Sequence, residues 1–288
     1  MDESTKETIS AAAETTVEAT EKAIRHPSIV KLTKLGFYTK GFLFIVIGIL
    51  AVLVALGEKS GELTDPKGAL TAIALAPFGE ILLIIFVIGA FGHGLWNMMR
   101  GTVDLDNAGR GWQGITKRII AVGVGIFYLI LAWSAWDILS TAHVSFENGA
   151  MQKNLTTFLL AIPILGVVLV FFIGLGVIIA GVHECYSGLS GKFQESFRLW
   201  EVSGFSRQVI VVLGVLSFTA RALIFAIMGY FFIAAAIEYN PNEAIGVDGA
   251  LLILAQSRFG KSILFITASG LICHGILSLY ESKYRRIC

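Results

Sequence analysis

A stretch of this chain, residues 35–100, recurs as a recognisable copy at 216–281, in the same order and without a gap, at a constant offset of 181 positions. The matched positions include Phe37 with Phe218, Phe44 with Phe225, Gly48 with Gly229, Gly89 with Gly270, and His93 with His274. Gly68, Ala69 and Leu70 return as Gly249, Ala250 and Leu251, and Phe78 and Gly79 as Phe259 and Gly260. Greasy helices in general have no reason to space glycine, phenylalanine and histidine alike, so the chain is built by copying a unit. Any fold it adopts has to accommodate that unit at least twice.

Hydropathy says what the unit is. With 55% hydrophobic residues, 15% charged ones and a mean hydropathy of +0.76, the 288 residues carry more apolar surface than one soluble core would bury. A helix needs about 20 apolar residues to cross the hydrocarbon while satisfying its own backbone polar groups. Six stretches meet that need, at 36–57, 77–99, 116–140, 157–183, 210–237 and 259–281. The expected class is therefore an all-α integral membrane protein with six transmembrane helices. Residues 1–30 read as an N-terminal amphiphilic helix or tail, since Asp2, Glu3 and Glu7 stand where a signal peptide would be basic. A net charge of +1 gives no basic patch for nucleic acid. Cys185, Cys273 and Cys288 lie at unrelated spacings, which supports neither a disulfide framework nor a thiolate metal site.

Between the two clear copies lies a segment with two more spans. Its Gly166 and Gly176 keep the interval of Gly79 to Gly89 and Gly260 to Gly270, which marks it as a worn third copy. The units are hairpins at 34–106, 113–195 and 207–286. Each starts and ends on the same side, so they are parallel repeats, unlike inverted-repeat transporters, and a pseudo-threefold bundle is the expected packing. Lys31, Lys34, Arg110, Lys117, Arg118, Lys192, Arg198, Arg207, Lys283, Arg285 and Arg286 gather on one side, against Lys59, Lys67, Lys153 and Lys261 on the other. That bias predicts cytoplasmic N- and C-termini. Pro77 interrupts an apolar run longer than one crossing needs, which predicts a short helix over 67–75 lying in the outer interface before the second span.

The unit GALTAIALAPFG, the opening GFYTKGFLFIVIG and the ending GLICHGILSLYESKYRR resemble the bacterial membrane family called domain of unknown function twelve-oh-six. The likeness covers roughly residues 34–286. It implies three two-helix repeats and no established activity.

Several apparent motifs dissolve on inspection. Ala255 to Ser262 imitates a relaxed phosphate loop, but it lacks the preceding strand, and the sister unit has Glu80 in place of Lys261. Asp104 to Gly109 imitates half a calcium loop, with Ile115 where the bidentate Glu should be. The carrier-type Pro-x-acid motif is met only by Pro241 and Glu243 in a loop, and ends on Gly246 rather than a cation.

What remains is a set of polar residues inside the spans. Gly89, His93, Asn97 and Arg100 share a face of the second, and Thr267, Gly270, His274, Ser278 and Glu281 a face of the sixth. The fourth offers Gly176, His183 and Ser187. Lys40 and Arg221, equivalent by the repeat, sit roughly 8 Å inside their spans at 1.5 Å per residue. Lys40, His93, Asn97, Arg221, His274 and Ser278 are thus the candidate intramembrane site, with His183 and Thr267 secondary. Such a cationic cluster favours an anion, whereas the bland reading has the cations snorkel and the histidines act as interhelical glue.

No nucleophile stands beside a base, so no enzyme is expected; neither is a cofactor or a metal. The first expectation is a non-enzymatic scaffold or interaction protein of the inner membrane, touching the lipid bilayer and a membrane protein partner. The alternative is a pathway or site for a small solute, an anion or an anionic lipid headgroup along the pseudo-threefold axis. Haem-linked electron transfer, with His93 and His274 as axial ligands, is a third.

Overall fold

The computed structural model describes residues 27–58, 63–104, 109, 111–141, 150–197 and 204–284. It is all-helical. The expected N-terminal helix or tail lies outside the described residues up to residue 26, and the first helix runs on from Pro27. In chain order the helices are α1 (Pro27–Leu56), α2 (Pro66–Ala74), α3 (Gly79–Val103), α4 (Trp112–Thr141), α5 (Ala150–Leu160), α6 (Leu165–Ser190), α7 (Gly204–Ile237), α8 (Val247–Gln256) and α9 (Gly260–Tyr284). Six of them, α1, α3, α4, α6, α7 and α9, are long and apolar enough to cross a membrane. They carry bulky apolar side chains outward as well as inward. On α3, Leu83, Phe86 and Ala90 are buried while Ile84, Ile88 and Phe91 are exposed, the pattern of a helix with lipid on one side.

Each hairpin has the same three parts: a long span, a short helix and a returning span. Asp65 caps α2 by accepting a hydrogen bond from the Gly68 N–H at 2.8 Å, and Pro66 presets the first turn. A tight turn then joins the short helix to the returning span, through Phe78 at φ 63° and Ile164 at φ 59° in the first two hairpins. The glycine after each turn is sterically required, because a Cβ on Gly79, Gly166 or Gly260 would collide with the carbonyl of Ala74, Leu159 or Ala255. This is why those glycines recur along the sequence.

The short helix expected over 67–75 is present as α2, Pro66–Ala74, and it is packed into the bundle. In α2, Ala69 and Leu70 are fully buried, and the helix packs on α1, α3 and α4. The fourth span is displaced from where its hydropathy placed it, running over Leu165–Ser190 rather than 157–183. The apolar run from 157 belongs at first to α5, and the crossing starts only at Leu165, after Pro163 has broken the chain.

The largest helix contacts lie between repeats rather than within them. Helix α3 packs on α4, α6 on α7, and α9 returns to α1. Small residues cross at corresponding positions of all three seams: Gly94 against Gly125, Gly181 against Ala222, and Gly275 against Gly41. A Cβ on Gly275 would stand 2.5 Å from the Gly41 carbonyl oxygen, so these backbones touch. Smaller contacts join α1 to α3 and α7 to α9 within the first and third hairpins.

Candidate functional site

The repeat puts a cation at the same depth of α1 and α7, and the seams supply each with a carboxylate. Lys40 Nζ lies 3.3 Å from Glu281 Oε2 across the seam of α1 and α9. Arg221 Nη2 donates to Glu184 Oε1 at 2.6 Å across the seam of α7 and α6. The side chains of both pairs are 12–18% exposed. In the third seam Val124 occupies the corresponding position of α4. There Arg118 donates instead to the Gly101 and Thr102 carbonyls near the end of α3, each at 2.8 Å. Every seam thus has a polar tie between its two helices.

The histidines face inward, beside these ties. His274 Nδ1 is 2.8 Å from Ser217 Oγ, and Arg221 Nη1 is 3.2 Å from Nε2 and 3.3 Å from Nδ1. Phe44 of α1 meets the same ring edge-on at 4.6 Å, and the rings of Phe218 and Phe225 flank the Arg221 guanidinium. His93 is held between Phe37 at 5.2 Å and Tyr128 at 4.5 Å. Phe44 thus brings α1 against His274, and Tyr128 brings α4 against His93.

The remaining candidates divide. Asn97 Nδ2 donates to the His93 carbonyl at 2.8 Å and its Oδ1 accepts from Arg100, while Ser278 Oγ donates to the His274 carbonyl at 2.9 Å. Both side chains are thus turned back on their own helix. Thr267 is buried in α9. His183 is not brought to the site, because it is exposed on α6, on the stripe of Gly176 and Ile179. The residue that α6 contributes is its neighbour Glu184, which sequence reasoning missed. Counting back from the turn glycines aligns Glu184 with Asn97 and Ser278, and that alignment was the available signal.

The haem expectation fails on geometry. Both nitrogens of His274 are engaged by Ser217 and Arg221, and the His93 ring is closed in by Phe37 and Tyr128. Among the described residues no group of three His, Cys, Asp or Glu side chains is arranged to hold a metal ion. The phosphate-loop imitation forms the turn from α8 into α9. In the calcium-loop imitation the Asp104 carboxylate accepts from the Gly109 N–H at 2.9 Å, as a polar turn would; Asp106 lies outside the described residues.

A second polar group occupies the short-helix end. Asp248 of α8 and Gln152 of α5 both crowd the place where a Cβ on Gly246 would stand, at 2.7 and 3.0 Å. Gln152 Oε1, Thr156 Oγ1 and Asp248 Oδ1 are buried there or nearby on the same helices without a hydrogen-bond partner. Burial, with a smaller contribution from the Asp65 charge, pushes the Asp248 carboxyl above the ordinary carboxylate range.

Comparison with known proteins agrees with this architecture. The family model described as Domain of Unknown Function (DUF1206) matches residues 35–104 and again 216–285, the first and third hairpins. The chain is 31% identical over 264 residues to the Uncharacterized protein YxxB of Bacillus subtilis (strain 168), an overlap covering 91% of this chain and 93% of that one. No solved structure matches. With a relative aligned along nearly its whole length and the family model met twice in one chain, the protein belongs to the DUF1206 family of unknown function, as an integral membrane protein with six apolar spans.

Proposed function

We propose that the protein is a non-enzymatic scaffold of the cytoplasmic membrane, with both termini in the cytoplasm, whose bundle presents an apolar surface to a membrane protein partner. One observation carries this reading. Both intramembrane cations are committed to carboxylates on the neighbouring repeat, Lys40 to Glu281 and Arg221 to Glu184. An anion site needs cationic charge left over for its ligand, whereas paired charges inside hydrocarbon act as ties between helices. The aromatic rings around His274 and His93 support the same view, since they fill the space an ion would cross. The Lys and Arg bias of the loops supports the orientation.

Two measurements test it together. Proteoliposomes containing the purified chain are expected to pass chloride and phosphate no faster than empty liposomes. Photo-crosslinkers at the exposed positions Phe172, Ile266 and Tyr230 are expected to return one reproducible protein adduct in native membranes. Anion flux that disappears in Arg221→Ala would establish the pathway reading instead. Adducts to lipid alone at all three positions would remove the partner.

A further inference from the structure

In the first and third hairpins a glycine of the returning span is pressed against the opening span. A Cβ on Gly89 would collide with the Thr39 side chain of α1, and one on Gly270 with Ala220 of α7. The same interval from the turn glycine places Gly176 at this position of α6. The small-residue crossings, which pair Gly41 with Gly275 and Gly125 with Gly94, place Gly123 of α4 at the position of Thr39 and Ala220. The middle hairpin therefore carries the smallest possible residue on both sides of the expected contact. Yet neither Gly123 nor Gly176 has any atom within 4 Å of where its Cβ would stand, and α4 and α6 are not among the helix pairs with an appreciable interface.

The six spans thus form an incomplete ring, in the order α4, α3, α1, α9, α7, α6, with a gap between its two ends. Glycine inside a helix costs roughly 1 kcal/mol relative to alanine. In a membrane helix that cost is recovered where another backbone comes close, and no backbone is close here. We propose that the middle hairpin has a second, closed arrangement in which α4 and α6 cross at Gly123 and Gly176, completing the ring.

The mechanics follow from the unequal contacts. The pairs α3·α4, α6·α7 and α9·α1 each move as a body, held by touching backbones and, in the last two, by an ion pair. The smaller α1·α3 and α7·α9 contacts are the pivots. Closure brings the exposed stripe of α4, Ile119, Gly123, Ile126 and Ile130, against that of α6, Phe172, Gly176, Ile179 and His183. The motion does not depend on the scaffold reading, because a gap that closes serves a partner or a solute equally.

Paired cysteines test it in native membranes. In a chain with Cys185, Cys273 and Cys288 replaced by Ser, Gly123→Cys is combined with Gly176→Cys and oxidised by copper phenanthroline. The control pair, Ile119→Cys with Phe172→Cys, is offset by about 12 Å along the helix axes at 1.5 Å per residue. With space around both glycines, the substitutions leave the fold intact. The expected result is an intramolecular disulfide in the glycine-site pair, formed at least about tenfold faster than in the control. Failure to cross-link while both thiols react with a maleimide overturns the closure. A disulfide between two chains overturns it as well, and assigns the gap to a second copy.

Discussion

Asp248 and the seam glycines show how single residues are constrained by where the chain puts them. Asp248 is a carboxyl near a second carboxyl, Asp65, in a place largely withdrawn from water. Its pKa in the folded protein is raised, so the folded state holds the proton more tightly than the unfolded chain, whose carboxyl titrates near 3.8. The stability it contributes is complete below that value and is lost as pH rises through the folded pKa. Asp248→Asn is therefore expected to flatten the fall in melting temperature over that interval, measured by thermal unfolding in micelles from acid to neutral pH. At the seams, size decides. Gly275→Leu drives a side chain into the Gly41 carbonyl and Ile45, and overpacking of this kind costs about 1–3 kcal/mol. Gly176→Leu enters open space and should leave the unfolding free energy unchanged or raise it by up to about 1 kcal/mol, as removal of a helix-interior glycine does. Equal effects of the two would contradict the packing described above.

At the scale of helices, the ties make a sharper statement. Removing one partner of a buried ion pair strands the other, at about 3–5 kcal/mol, whereas replacing both by apolar residues of similar volume is close to neutral. Glu184→Ala and Arg221→Ala should each destabilise strongly, and Arg221→Met combined with Glu184→Leu should recover most of the loss in a chemical unfolding series. If the double variant remains as weak as the singles, Arg221 serves something other than the seam. The repeat made Lys40, Arg221, His93 and His274 legible in the sequence, because copying kept them in step. It did not reveal Glu184, which lies in the worn copy, and favoured His183, one residue away. A single step along a helix turns the side chain by about 100°, enough to exchange the seam for an exposed stripe.

Across the whole molecule, the closing contact between α9 and α1 links the ends of the chain. A chain divided within 142–149 into two co-expressed fragments should still assemble through that seam, and the fragments should co-purify in mild detergent. Gly41→Leu should reduce the recovery of the pair, because it fills the same crossing from the other side. Sequence by itself determined that the protein crosses a membrane six times in three hairpins. Those features depend on span length, apolar content and the recurrence of turn glycines, all of which are local along the chain. It missed the start of the fourth span, because the apolar end of α5, Phe158 to Leu160, runs almost directly into the crossing it precedes. Only the tertiary structure decided which spans pair most closely, that the intramembrane cations are neutralised between repeats, and that the middle hairpin stands open. Those outcomes depend on which backbones approach one another across the bundle, and residues as far apart as Lys40 and Glu281 meet only when the ends of the chain come together.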